Sequence, residues 1–203
     1  MTPYSVVTIR RPAGKPAFMT WGQAGIIAYM GFSEAGVGVA MNALPGDSRP
    51  DGVPWYFGVR AVYEATSLAE IETALGRGPL ARSGNVGLIT REGPADVEVQ
   101  VDGVRVLRDE DGLLVHTNHC IHPDLAEVNV KYQQSLYGQT FARAQRGMML
   151  LGSSGGRVSV DDFKTILSDH QDAPTSICRH PNDHPVSGSD CSVVSIIVEP
   201  DAG

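Results

Sequence analysis

Cysteine is scarce in this chain of 203 residues, and its three positions, 120, 178 and 191, leave one thiol unpaired in any scheme. A secreted disulfide framework is thereby excluded, and reduced thiols are expected. Aromatic residues make up 6% of the chain, so a core has to come from Val, Ile, Leu, Ala and Met packed between regular elements. Positive charge is also short: 16 Lys and Arg face 23 Asp and Glu, for a net charge of −7. The basic residues are scattered, which leaves no footprint for nucleic-acid phosphates or an anionic membrane. No apolar run approaches the roughly 18 residues of a membrane span. Met1 to Arg10 lacks both the basic start and the apolar stretch of a signal peptide. A cytoplasmic protein is the expectation.

What the chain has in quantity is hydrophobic residues, 42%, together with 23 glycines and 13 prolines. That composition suits one domain with many turns. Ser5 to Ile9 and Ala17 to Trp21 read as strands separated by the turn residues Arg11-Pro12-Ala13-Gly14. Ala24 to Tyr29 could extend the meander, and Val37 to Met41 forms a further strand closed by Asn42. Pro45 to Pro54, rich in Gly, Pro, Asp and Ser, reads as a surface loop. Trp55 to Thr66 has helical spacing of Val59, Val62 and Tyr63, and a second helix starts behind Ser67, with Glu70 completing a capping box.

Asn85 to Ile89, Asp96 to Val101 and Gly103 to Leu107 continue as strands toward Leu113 to Val115. Ser135 to Leu151 is expected to be helical, with Phe141, Met148, Met149 and Leu151 on its buried side. A last helix, Val160 to Asp169, is capped by Ser159 with Asp162. The β-branched run Ser192 to Val198 is expected as a buried strand. Two blocks of strands and two of helices, closed by a strand, describe a layered α+β domain and not alternating βαβ units. No internal repeat is present.

The hexapeptide VHTNHC, Val115 to Cys120, sets an amide, two imidazoles and a hydroxyl where an apolar strand should end, which is how polar clefts are often built. Its groups allow several readings. Asn118 can cap a turn or donate to a ligand. His116, His119, Cys120 and His122 include good zinc ligands, but His116 and His119 point to opposite faces of a strand and no second ligand cluster follows, so no metal is expected. His119 suits a buried hydrogen bond and His122 a loop. Cys120 and His119 diverge as strand neighbours and do not form a nucleophile–base pair. Cys178 and Cys191 read as small apolar residues.

VHTNHC at 115–120, SICR at 176–179, GFSEAGVGVAMNAL at 31–44, RPDGVP at 49–54 and VRAVYEATS at 59–67 together resemble the acyl-coenzyme A:6-aminopenicillanate acyltransferase family, in order from about Val6 to Val198. The resemblance implies an N-terminal-nucleophile hydrolase: a four-layer αββα sandwich matured by self-cleavage. The exposed cysteine thiolate attacks an amide or acyl thioester, its own α-amino group shuttling the proton. In this resemblance the nucleophile lies upstream of the segment matching Ser5 to Ile9, and none of the three cysteines occupies its place.

The expectation is therefore a single incomplete domain, residues 1–203, lacking its first strands and its nucleophile. Relatives also continue past the last strand. The resemblance makes Asn118 a donor of the oxyanion hole and sets Arg179 in the substrate pocket, where a guanidinium can pair bidentately with a carboxylate. A structural ion pair is the alternative for Arg179. His116 and Asn42 join the candidate substrate contacts, although Asn42 can equally serve a turn. The substrate would be a small-molecule amide or an acyl-coenzyme A, with no cofactor. A missing N-terminal segment or homo-oligomer would complete the site. The competing function is a noncatalytic homologue that binds a small ligand or needs a complementing chain.

Overall fold

Strict alternation along the middle of the chain determines the architecture. In β6 (Gly93–Gln100) Ala95, Val97 and Val99 are buried on one side of the strand, while Asp96, Glu98 and Gln100 are buried on the other. The computed structural model describes residues 4–108, 112–130, 138–153, 158–185 and 188–199. Among these, β1 (Ser5–Arg10), β2 (Phe18–Gln23), β3 (Met30–Ser33), β4 (Val37–Ser48), β5 (Arg82–Thr90), β6 and β7 (Gly103–Leu107) form one seven-stranded sheet in chain order. Every neighbouring pair is antiparallel. The hairpins follow local turn chemistry; Gly14, for example, takes φ 70° in the β1–β2 turn.

Two helices cover one face. Helix α1 (Trp55–Val62) and helix α2 (Leu68–Gly76) bring Val59, Val62, Ile71 and Leu75 into one core with Val37, Val39, Val86, Leu88, Val97 and Val99 of the sheet. Tyr63, just past α1, stacks on Phe18 with ring centroids 5.0 Å apart, and its hydroxyl donates to the Tyr29 carbonyl at 2.5 Å. A Cβ at Gly84 would lie 2.8 Å from the Trp55 ring, so glycine there lets α1 approach β5. Fully burying side chains of this size contributes about 1.5–3 kcal/mol each, which makes this face the main source of stability.

A 3₁₀-helix, Pro123–Asn129, follows the hexapeptide, and α3 (Gln139–Gly152) and α4 (Val160–Leu167) complete the regular structure among the described residues. Ser159 and Asp162 make the expected capping box at α4. At α2 only half of the box forms. Ser67 Oγ accepts from Glu70 N at 3.3 Å, but the Glu70 carboxylate turns back to the Thr66 N–H and hydroxyl, at 2.8 and 2.9 Å.

Several expected elements differ. Ala24 to Tyr29 is a connection, because Ala24 N and Ile26 N bond to Tyr4 O and Gln23 O as turns. Helix α1 stops at Val62, where the bonds from Glu64 N and Ala65 N tighten to i−3 carbonyls. The expected loop at Pro45 begins inside β4, which runs on to Ser48 through an irregularity between Ala43 and Ser48.

Leu113 to Val115 is not a strand; Val115 packs instead under α3, its Cγ1 lying 3.1 Å from where a Cβ on Gly147 would be. Met148 and Met149 are exposed, and α3 buries Thr140, Gly147 and Leu151. Ser192 to Val198 is likewise no strand. Nor is it buried throughout: Val193 and Val194 are exposed, while Val198 lies 3.0 Å from a Cβ that Gly38 would carry. The expected first turn of α3, Ser135 to Tyr137, lies outside the described residues.

Candidate functional site

The face of the sheet away from α1 and α2 is polar where the hexapeptide covers it. Asn85 and Glu98 are 0% exposed, Asp96 1%, Ser83 4% and Gln100 6%. Such groups are costly to bury unless each finds a partner. Asn85 Nδ2 donates to Asp96 Oδ2 at 2.6 Å, and its Oδ1 accepts from the backbone N–H of Asn42 at 2.8 Å. Gln100 accepts from Ser83 Oγ at 2.7 Å and donates to Pro45 O at 3.1 Å. Glu98 receives the backbone N–H groups of Ile121 and His122 at 2.5 and 3.1 Å.

His116 completes this circuit. Its Nε2 lies 2.8 Å from Glu98 Oε1 and 3.8 Å from Asp96 Oδ1, and its Nδ1 lies 2.7 Å from Thr117 O. Both ring nitrogens face acceptors, so both must donate, which requires the imidazolium. Burial would lower the His116 pKa, but the hydrogen bond to Glu98 and the charge of Asp96 raise it overall. Burial works against ionised Glu98 as well; there His116 and the two backbone donors prevail and hold the carboxyl below its usual range. Asp96 goes the other way, pushed up to about 7 chiefly by burial. Its Oδ1 is buried without a hydrogen-bond partner.

A second network joins the hexapeptide to the start of α3. Thr117 Oγ1 and Thr140 Oγ1 bond at 2.8 Å, and Asn118 N donates to Thr140 Oγ1 at 2.8 Å. His119 Nδ1 lies 3.0 Å from Thr117 Oγ1, and its ring packs 4.1 Å from that of Phe141. The Asn118 side chain is held at both ends: Arg143 Nη2 donates to its Oδ1 at 2.9 Å, and its Nδ2 donates to Ala43 O at 3.2 Å. Gln139 Oε1 then accepts from Arg143 Nε at 3.0 Å and from Arg179 Nη2 at 2.7 Å. Arg179 also meets Asp190 at 3.3 Å. Burial, with the charge of Arg179 nearby, lowers the Arg143 pKa to about 10, which leaves it cationic at neutral pH.

Asn118 and Arg179, 61 positions apart in sequence, thus share one chain of hydrogen bonds through Arg143 and Gln139. Residues 3–196 match the family model of acyl-coenzyme A:6-aminopenicillanic acid acyl-transferase. The chain belongs to this acyltransferase family. The 40 kDa form of acyl-coenzyme A:6-aminopenicillanic-acid-acyltransferase from Emericella nidulans is 31% identical over 179 residues, which cover 85% of this chain and 48% of that protein. The chain therefore spans about half the length of this curated relative.

Two solved structures share the fold. Penicillin V acylase from Agrobacterium tumefaciens aligns with a TM-score of 0.52 at 11% identity, over 85% of this chain and 66% of its own. A mutant conjugated bile acid hydrolase from Clostridium perfringens aligns with a TM-score of 0.50 at 15% identity, over 75% and 62%. The fold is α+β of the N-terminal-nucleophile hydrolase type.

Within this family member, the four expected site residues separate into two groups. Asn118 and Arg179 converge, and the Arg179 ion pair anticipated as an alternative is present too. His116, expected at the substrate, is instead buried against carboxylates with 5% of its side chain exposed. Asn42 is half-buried next to Ala43, the residue whose carbonyl holds Asn118. His119 fills the expected buried hydrogen bond, and His122 Nδ1 accepts from Asp124 N at 3.2 Å to cap the 3₁₀-helix. The thiol of Cys120 is buried and pushed up to about 12, mainly by burial and then by the Glu98 charge, which makes it inert at neutral pH.

Sequence reasoning missed Arg143, Gln139 and the Asp96–Glu98–Asn85 group. A signal existed for the last: carboxylates at alternate positions of an otherwise apolar strand mark a second, polar face. Nothing in the sequence marks Arg143 among the other arginines.

Proposed function

We propose that this chain supplies the oxyanion donor and the substrate-orienting cations of an N-terminal-nucleophile acyltransferase or amidohydrolase that acts on a small amide or acyl thioester. The observation that carries the reading is the Asn118–Arg143–Gln139–Arg179 chain, which unites the two motifs of the family in one place. The Arg143 bond fixes which end of the Asn118 amide is nitrogen. Nδ2 carries two N–H groups, and Ala43 O takes one. The other donates to the carbonyl oxygen as a thiolate adds to the carbonyl carbon and that oxygen becomes negative. Collapse of the adduct expels the amine or thiol and leaves an acyl-enzyme, which water or an acceptor amine then cleaves.

Arg143 rests on the neutral amides of Asn118 and Gln139, so its positive charge is available to a substrate carboxylate, while Arg179 shares its charge with Asp190. Asn42 borders the same place, and His116 secures the hexapeptide to the sheet from below. Beyond Ala43, Leu44, Gly46, Asp47, Ser48, Arg82 and Ser83 line an open cleft of about 320 Å³, which in this reading receives part of the substrate. The attacking thiol in this proposal is none of Cys120, Cys178 and Cys191. A segment preceding β1, or a partner chain, contributes it to the unit formed by residues 1–203. The Emericella relative, named as an acyltransferase of acyl-coenzyme A and 6-aminopenicillanic acid, supports the reaction class.

The test uses the nucleophile-bearing protein with a panel of small acyl p-nitroanilides and acyl thioesters. Asn118→Ala is expected to lower kcat by about 10²- to 10³-fold with little change in Tm. Unchanged turnover removes Asn118 from the reaction. Absence of any turnover in the nucleophile-bearing wild type favours a noncatalytic binding role.

A further inference from the structure

A third cluster lies on the segment that follows α4, two of its members flanking Arg179 in sequence. The ligand atoms of His170, Cys178 and His180 all fall within 4.8 Å of one another. The two Nε2 atoms face each other at 2.8 Å, and Cys178 Sγ lies 4.0 Å from His180 Nε2. The rings are stacked, 5.0 Å between centroids and 5° from parallel.

We propose that His170, Cys178 and His180 form a binding site for a thiophilic transition-metal ion of the zinc type, with a fourth position left to solvent. A tetrahedral ion with bonds of about 2.0–2.1 Å to nitrogen and 2.3 Å to sulfur holds its nitrogens about 3.4 Å apart and nitrogen and sulfur about 3.6 Å apart. The observed 2.8 and 4.0 Å lie on either side of these spans, within reach of small side-chain rotations. Two imidazoles with a thiolate select such an ion over magnesium or calcium, which require oxygen. On binding, the Cys178 thiol loses its proton to solvent, the imidazole–imidazole hydrogen bond breaks, the donating ring gives up its Nε2 proton to solvent and takes one on Nδ1, and each Nε2 gives a lone pair to the ion.

The backbone that carries these ligands is already fixed, which lowers the ordering cost of binding. Cys178 N donates to Asp169 O at 2.9 Å, and Asp169 is clamped to α3 by both arms of Arg146, at 3.1 and 2.7 Å. Ala173 N donates to His170 O, and Asn182 Nδ2 to His180 O, each at 3.1 Å. The histidines are exposed and Cys178 is half-buried, so an ion has an open path to all three. The assignment does not rest on the proposed reaction, and its test does not use turnover.

The chelator-stripped protein is titrated with zinc sulfate by calorimetry, and with cobalt(II) followed by absorption. The expected result is one zinc per chain and a near-ultraviolet thiolate-to-cobalt charge-transfer band. Cys178→Ser abolishes that band, and His170→Ala and His180→Ala each weaken zinc by at least about tenfold. No saturable zinc binding by the wild type overturns the proposal without recourse to any variant. Wild-type affinity retained in all three variants overturns it too, by placing the ion elsewhere.

Discussion

On one face of the sheet Val86, Val97 and Val99 share a core with Val59, Ile71 and Leu75 of the helices; on the other Asp96, tied to Asn85, together with Glu98 and Gln100 meets the segment from His116 to His122. The same strands feed both, one residue apart. The apolar face is held by many contacts, each weak and none directional, so a lost methyl group is felt mostly where it is lost. The polar face is a closed circuit of few, directional bonds, in which one missing acceptor strands several donors. That is why the face with the smaller share of the stability is the one that positions the hexapeptide.

The contrast can be broken first at Glu98. Glu98→Leu leaves the imidazolium of His116 and the N–H groups of Ile121 and His122 without their acceptor, and is expected to cost about 3–5 kcal/mol in urea unfolding. A loss below about 1 kcal/mol would mean that the polar face is not a coupled unit. Ile71→Ala, on the apolar face at 0% exposure, is expected to cost about 3 kcal/mol. That loss should be equal at about pH 5 and about pH 8, since no ordinary titration of the apolar face intervenes.

A smaller effect comes from pH in the wild type. His116 is raised above its ordinary 6.5, so its contribution is complete below that value and disappears as pH climbs through the higher folded value. Asp96, raised from 3.8 to about 7, acts in the same direction, because ionising it in the buried site withdraws stability over that range. Glu98 is lowered, so its contribution fails only on the acid side. Stability measured by urea unfolding should therefore decline from mildly acid pH through neutrality, and His116→Gln should flatten the upper part of that decline. A profile unchanged by His116→Gln would assign the pH dependence to other groups. The smallest effect is expected at Ser159→Ala, which removes the cap of α4, at about 1 kcal/mol at neutral pH and less in acid, where Asp162, held low by Ser159, is protonated in any case.

What could be read in advance follows the range of the forces involved. Asn85 to Leu107 declared its three strands because alternation and Gly turns are local, and Ser159 declared its cap because the acceptor and donor lie three residues apart. Leu113 to Val115 and Ser192 to Val198 misled for a common reason. An apolar run states neither its conformation nor how fully it will be covered: Val115 lies under Gly147 of α3, whereas Val193 and Val194 stay exposed and Val198 meets Gly38.

Met148 and Met149 carry helical spacing, yet α3 turns Gly147 and Leu151 inward and leaves both methionines out. Asn118 and Arg179 were legible as a pair only through the resemblance of two motifs. Their physical link runs through Gln139 and Arg143, whose residue types occur many times in the chain with no local mark.

Gln139 and Arg143 are four residues apart in the first turns of α3, and that interval determines how the site can change over evolutionary time. An α-helix advances about 100° per residue, so one residue inserted or deleted between them would swing one partner to the side of the helix and break the Arg143–Gln139 link in the chain from Asn118 to Arg179. Point substitutions elsewhere in α3 leave that alignment untouched. The helix therefore behaves as a ruler with one permitted length, free to drift in letter but not in count.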